Sequence, residues 1–120
     1  MTAHAQHLHW VQLCQRDDLV AESGVAARVG QQQIALFYLP DDNAVFALDN
    51  HDPFSAANVL ARGIIGDLQG HWVVAAPIYK QHFRLDNGQC LEDASVCVAT
   101  WPARLNGDAV EVALPIALPI

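Results

Sequence analysis

The stretch Ile34-Ala-Leu-Phe-Tyr-Leu-Pro-Asp-Asp-Asn-Ala-Val-Phe-Ala-Leu48 decides the fold class. Ile34–Leu39 is a β-rich run and Ala44–Leu48 is a second one. Both are built from side chains that suit a pleated surface. Between them, Pro40 presets φ, and Asp41, Asp42 and Asn43 bond to their own backbone and tolerate left-handed conformations, so the chain turns and the two runs pair as a hairpin. Upstream, Val25, Ala27 and Val29 share one face at period two, which predicts a strand leading through Gly30 and three glutamines into the hairpin. Leu8–Cys14 alternates loosely and ends in an Asp17-Asp18 turn.

Downstream the pattern repeats. Asp49–Phe54 reads as a loop, because Pro53 does not fit a central strand. Ser55–Leu60 reads as one or two helical turns with Ser55 as cap. Ile64–Leu68 and Trp72–Ala76 are short strands around Gln69-Gly70; Pro77–Lys80 interrupts before Gln81–Leu85 resumes. Asn87-Gly88 predicts a hairpin turn, Val96–Trp101 a strand, and Arg104–Ala113 a last hairpin about Asn106-Gly107. Many short strands at this spacing predict an all-β antiparallel sandwich or small barrel with at most one short helix. Residues 1–120 read as a single domain, with 1–7 a flexible arm and 114–120 an apolar tail whose two prolines oppose a long strand or helix.

Composition narrows the function. The chain has 120 residues, 52% of them apolar and 16% charged, which supports a packed core and excludes a disordered linker. The net charge of −7 opposes phosphate backbones and anionic lipid, so neither nucleic acid nor a membrane is expected as a partner. No apolar stretch, Trp72–Ile78 included, approaches the ~20 residues of a spanning helix. Met1–Trp10 shows no basic segment followed by an apolar one, so a cytoplasmic location is expected. Cys14, Cys90 and Cys97 form no C-x-x-C and read as free thiols.

No catalytic set emerges from the residues. There is no G-x-S-x-G around Ser55 or Ser95 and no G-x-G-x-x-G. His4, His7 and His9 lie on the N-terminal arm, and His71 at a turn. His51 and His82, with Asp49 or Asp52, are the one combination with metal-ligating chemistry, two imidazoles and a carboxylate; without a spaced motif they read as surface loop residues, and no metal site is expected. The acidic pairs Asp17-Asp18, Asp41-Asp42 and Glu92-Asp93 read as solvated turn charge.

Two segments add a resemblance. Ala44-Val-Phe-Ala-Leu-Asp-Asn-His-Asp-Pro-Phe-Ser55 and Val74-Ala-Ala-Pro-Ile-Tyr-Lys-Gln-His-Phe-Arg-Leu-Asp-Asn-Gly88 resemble, in order and spacing, the two cluster-binding loops of the Rieske [2Fe–2S] fold. That family places Cys-x-His in the first loop and Cys-x-x-His in the second, giving two thiolates to one iron and two imidazoles to the other. At the matching positions stand Asp52, Phe54, Ala76 and Tyr79, with Pro53 and Pro77 beside them. A carboxylate, a phenyl, a methyl and a phenol replace all four ligands. The resemblance therefore implies a Rieske-like scaffold without its cluster.

From Trp10 to Val112 the chain is similar to the small-subunit family of assimilatory NAD(P)H-dependent nitrite reductases. The match rests on Leu48-Asp49-Asn50-x-Asp52-Pro53-Phe54-Ser55, Leu60-x-Arg62-Gly63-Ile64, and Ala76-Pro77-x-Tyr79-Lys80-x-x-Phe83-x-Leu85-x-x-Gly88-x-Cys90-Leu91-Glu92-Asp93. It implies a non-redox subunit that binds a large catalytic subunit. FAD, an iron–sulfur cluster and sirohaem are implied on that partner, which reduces nitrite to ammonium, and no cofactor on this chain. Asn50, His51, Asp52, Phe54, Tyr79 and Lys80 are then the candidate partner-facing residues, with Phe54 and Tyr79 either anchoring an interface or filling the vacated cluster space. Two other classes stay open: a ferredoxin-type electron carrier with a nonstandard site on His51, Asp52 and His82, and a stand-alone small-molecule-binding β module.

Overall fold

The structure is a computed structural model that describes residues 8–115. Twelve strands make it up: β1 (Leu8–Gln15), β2 (Ser23–Val29), β3 (Gln32–Leu39), β4 (Ala44–Asp49), β5 (His51–Asp52), β6 (Ala57–Asn58), β7 (Ile64–Leu68), β8 (His71–Ala75), β9 (His82–Arg84), β10 (Thr100–Trp101), β11 (Ala103–Asn106) and β12 (Ala109–Pro115). All strand-to-strand pairing is antiparallel. They form sheets in the orders β1-β12-β11, β10-β4-β3-β2, β5-β6 and β7-β8-β9. The fold is all-β, as the turn punctuation requires.

β3 explains the architecture. Its even residues Ile34 and Leu36 enter one core with Val45, Ala47, Val110, Val112 and Leu114. Its odd residues Ala35, Phe37 and Leu39 enter a second core with Leu48, Leu60, Val74, Ala76, Phe83, Leu85 and Val98. A strand covered on both faces must be apolar at every step, which is why Ile34–Leu39 is a continuous run and not an alternating one. The first core joins the β3–β4 hairpin to β12. The second joins it to the β7-β8-β9 unit, which holds the loop of Ala76–Gln81.

Several expectations are corrected. Ser55–Leu60 is not a helix: Ser55 Oγ donates to Asp52 Oδ2 (2.9 Å) and Ala57–Asn58 is a strand, so no helical turn starts there. Among the described residues there is no α-helix, only 3-10 turns at Arg16–Asp18, Pro40–Asp42 and Leu60–Arg62. The Asp49–Phe54 loop contains β5, with His51 opposite Asn58 and Asp52 opposite Ala57. Of Val96–Trp101 only β10 is strand, because Val96 N–H donates to Asp93 O and Val98 N–H to Gly88 O, which draws this segment into a local fold. Leu114 and Pro115 belong to β12, where Leu8 pairs with Pro115, so the apolar tail begins inside a sheet. Residues 1–7 and 116–120, including His4 and His7, lie outside the described residues. No helix among the described residues is long and apolar enough to cross a membrane.

Candidate functional site

The first loop follows β4 directly. Asp49 Oδ1 accepts the His51 N–H (3.0 Å), which bends the chain out of the strand. Asn50 is only 3% exposed. Its Nδ2 donates to Gln33 Oε1 (3.0 Å) and Asn58 O (3.2 Å), and its Oδ1 accepts the Ala61 N–H at 2.7 Å. Asp52 is fully buried; its two oxygens accept the Phe54 N–H and the Ser55 hydroxyl, both at 2.9 Å. The loop thus closes on its own carboxylate. Polar oxygens are kept out of water only with such partners.

Asn50 and Asp52, expected as partner-facing, are instead turned inward by burial and hydrogen bonding. His51 remains exposed, its Nδ1 2.9 Å from Asn58 Oδ1. Phe54 is half-buried and packs against the second core, its ring 6.1 Å from Phe83 at 43°. Ala76, fully buried, lies in the same core. An aromatic ring and a methyl, at two of the four ligand positions, thus belong to that core.

The second loop is a tight reversal. Ala76 N–H donates to Gln81 O (2.8 Å) and Lys80 N–H to Ala76 O (3.0 Å), with Lys80 at φ +67°. Lys80 Nζ donates to Pro77 O (3.0 Å), and Tyr79 is 60% exposed. Just beyond, Glu92 brackets His82: Oε1 accepts the His82 N–H (2.7 Å) and Oε2 lies 2.6 Å from Nδ1. Burial pushes the Glu92 carboxyl up, but the bonds from the His82 backbone and imidazole outweigh it and hold the carboxyl below its ordinary range. Glu92, read from the sequence as turn charge, was not visible as this partner because ten residues separate the pair.

His51, Asp52 and His82 do not come together, since each is engaged by a different neighbour: Asn58, the Phe54–Ser55 segment and Glu92. Among the described residues no three His, Cys, Asp or Glu side chains form a group able to hold a metal ion. The Rieske cluster, tested on donor chemistry, does not fit. Ligation needs two thiolates and two imidazoles, and the four positions offer a hydrogen-bonded carboxylate, a packed ring, a buried methyl and an exposed phenol. Cys90 is buried beside Glu92 (Sγ to Oε1 3.7 Å), where burial pushes its thiol pKa up; Cys97 donates to Asn87 O, and Cys14 lies in β1. None stands at a ligand position of either loop.

A prediction follows for the clamp. The folded chain holds Glu92 ionised more firmly than the unfolded chain does, so the contact adds stability above the ordinary carboxylate pKa and loses it as pH falls through the lowered value. Glu92→Gln is expected to lower the urea midpoint at pH 7, by under about 1 kcal/mol for so exposed a pair. The gap between variant and parent narrows as pH falls through the lowered carboxyl value; a gap that stays constant on acidification contradicts the assignment.

One feature went unread in the sequence. β7, β8 and β9 present a shallow apolar concavity of about 180 Å³ lined by Ile64, Ile65, Gly66, Asp67, Leu68, Val73, Ala75 and His82. The available signal was Gly66, a glycine inside a strand, which marks a place where a side chain is missing.

Comparison with known proteins gives a consistent result. Residues 9–113 match the family described as Rieske-like [2Fe-2S] domain. The nitrite reductase (NADH) small subunit of Escherichia coli (strain K12) is 41% identical over 103 residues, covering 86% of this chain and 95% of that one. The nitrite reductase [NAD(P)H] large subunit of Klebsiella oxytoca is also 41% identical over 103 residues, which are 11% of its length. The solution structure of the nitrite reductase [NAD(P)H] small subunit from Erwinia carotovora superposes with a TM-score of 0.75 at 40% identity, covering 92% of this chain and 86% of that chain.

Proposed function

The chain belongs to the Rieske-like [2Fe-2S] domain family and, within it, to the small subunits of NAD(P)H-dependent nitrite reductase, and from that membership we propose a non-redox companion that binds and positions the catalytic large subunit. The observation that carries the non-redox reading is the chemistry at Asp52, Phe54, Ala76 and Tyr79, where ring packing and internal hydrogen bonds replace metal donors. FAD, an iron–sulfur cluster and sirohaem are assigned to the partner, along with the reduction of nitrite to ammonium for assimilation. Residues 1–120 act as one domain, in the cytoplasm. The Klebsiella relative supports the pairing, because there a domain like this one is part of a large-subunit chain. Covalent linkage makes association intramolecular and raises the effective concentration of the pair; a separate small subunit must recover that advantage through its own surface.

Co-expression with the large subunit tests this reading. The two chains are expected to co-purify, and nitrite reduction by the large subunit to decline when this chain is omitted. The isolated chain, prepared anaerobically, is expected to lack visible absorbance and to hold far less than two irons per chain. Two irons with a charge-transfer band overturn the non-redox reading, and failure to associate at micromolar concentration overturns the pairing.

A further inference from the structure

We propose that the large subunit docks on the outer face of β7-β8-β9 and the adjoining loop of Ala76–Gln81, seating one projecting apolar side chain in the concavity over Gly66. This inference rests on the pairing proposed above and moves the contact away from the first loop, whose polar residues Asn50 and Asp52 are buried.

Four observations converge. First, Ile64 is 74% exposed, and in the register Ile64 lies opposite Ala75, which lies opposite His82, at the end of the sheet where the second loop begins. Ile78 and Tyr79, on that loop, are exposed apolar side chains at 48% and 60%. Second, the floor beside Ile64 is open because Gly66 has no side chain. A Cβ built there meets nothing within 4 Å, so internal packing does not require glycine at this position. Third, the volume suits a side chain. Metabolite pockets run to ~300–1,000 Å³, whereas a cavity of ~150 Å³ holds one benzene ring; about 180 Å³ takes a single aromatic or branched aliphatic group.

The fourth observation is charge. The chain carries −7 with six cations. Arg84 pairs with Asp86, Arg104 with Glu111, and Arg16 bonds Tyr38, Asn43 and Gly107 O. Arg28 on β2, Arg62 and Lys80 are exposed and have no carboxylate partner among the described residues; two of these three stand beside the β7-β8-β9 unit. Arg62 and Lys80 each precede one outer strand, β7 or β9, by two residues, at the end of the sheet where Ile64, Ala75 and His82 lie in register. Gly63 fixes the first of them: a Cβ there would fall 2.4 Å from Ala75 O, so the Arg62–Ile64 segment lies hard against β8. The surface that fits is an apolar knob ringed by carboxylates. Asp67, at the opposite end of the concavity, and His82, held by Glu92, complete its polar rim.

The test measures affinity of the full chain for the co-expressed large subunit. Gly66→Leu fills the concavity and Ile64→Asp charges its edge; each is expected to weaken binding at least about tenfold, as loss of a central anchor does, with the melting temperature unchanged. Val20→Asp, at another exposed apolar residue far along the chain (54% exposed), is expected to bind as the parent does. Arg62→Glu and Lys80→Glu are expected to slow association and flatten its salt dependence. Parental affinity in both Gly66→Leu and Ile64→Asp overturns the docking face while leaving the pairing intact. Ile64→Asp splitting a dimer of this chain without affecting large-subunit binding assigns the face to a second copy and also overturns it. A parent chain that does not bind removes both the pairing and the face.

Discussion

Gly88→Ala is expected to destabilise the domain by about 3 kcal/mol or more, lowering the melting temperature by more than ~10 °C. Two costs coincide. Gly88 sits at φ +77°, where a side chain costs roughly 1–2 kcal/mol. A Cβ there would also fall 2.1 Å from Val98 O and 3.1 Å from Thr100 Cγ2. The first contact is with backbone, so the Val98 segment must withdraw, stretching the Val98 N–H bond to Gly88 O (3.0 Å) and unseating Val98 from the second core. Gly70→Ala separates the two costs. Gly70 has φ +81° but open space around its Cβ, so its substitution should cost only about 1–2 kcal/mol. Equal midpoints for the two variants in urea denaturation contradict the close approach at Gly88.

That contact also marks where the sequence stops being legible. The hairpins could be read because each is decided locally. Pro40–Asn43 turns β3 into β4 with Asn43 at φ +50°, and Gln69-Gly70, both at positive φ, turns β7 into β8. Residues 86–99 could not be read this way. Val96 and Val98 look like a strand, but their N–H groups go to Asp93 O and Gly88 O, a choice made by chain reversal and core packing. The site divides along the same line. That Asp52, Phe54, Ala76 and Tyr79 replace metal donors follows from residue identity once the resemblance supplies the matching positions. That Asn50 and Asp52 point inward does not, because polar loop residues are mostly exposed, and here Gln33, Asn58 and Ala61, distant in sequence, supply Asn50 with its partners.

Asn50→Ala is expected to cost about 2–4 kcal/mol and to weaken large-subunit binding as well. The backbone bonds of Asn50, to Gln33 O (3.1 Å) and from Leu60 N–H (3.0 Å), survive the substitution. Its side chain leaves three groups without their partner: Gln33 Oε1, Asn58 O and the Ala61 N–H. Ala61 is 7% exposed, so its N–H has no ready access to water, and an unpaired buried donor costs roughly 1–3 kcal/mol. Asn50→Asp separates geometry from charge. It keeps the acceptor for Ala61 but sets a second carboxylate oxygen toward Asn58 O, and burial disfavours the ion. The Asp variant should therefore recover on acidification, when a protonated carboxyl can donate to Asn58 O, while the Ala variant does not. The binding effect follows from position. Ala61 stands one residue before Arg62 and three before Ile64, so loosening its N–H loosens the edge of the proposed docking face. Stability from denaturation and affinity for the large subunit should fall together in Asn50→Ala. In Ile64→Asp affinity should fall alone, and that difference distinguishes a residue that holds the surface in place from one that forms it.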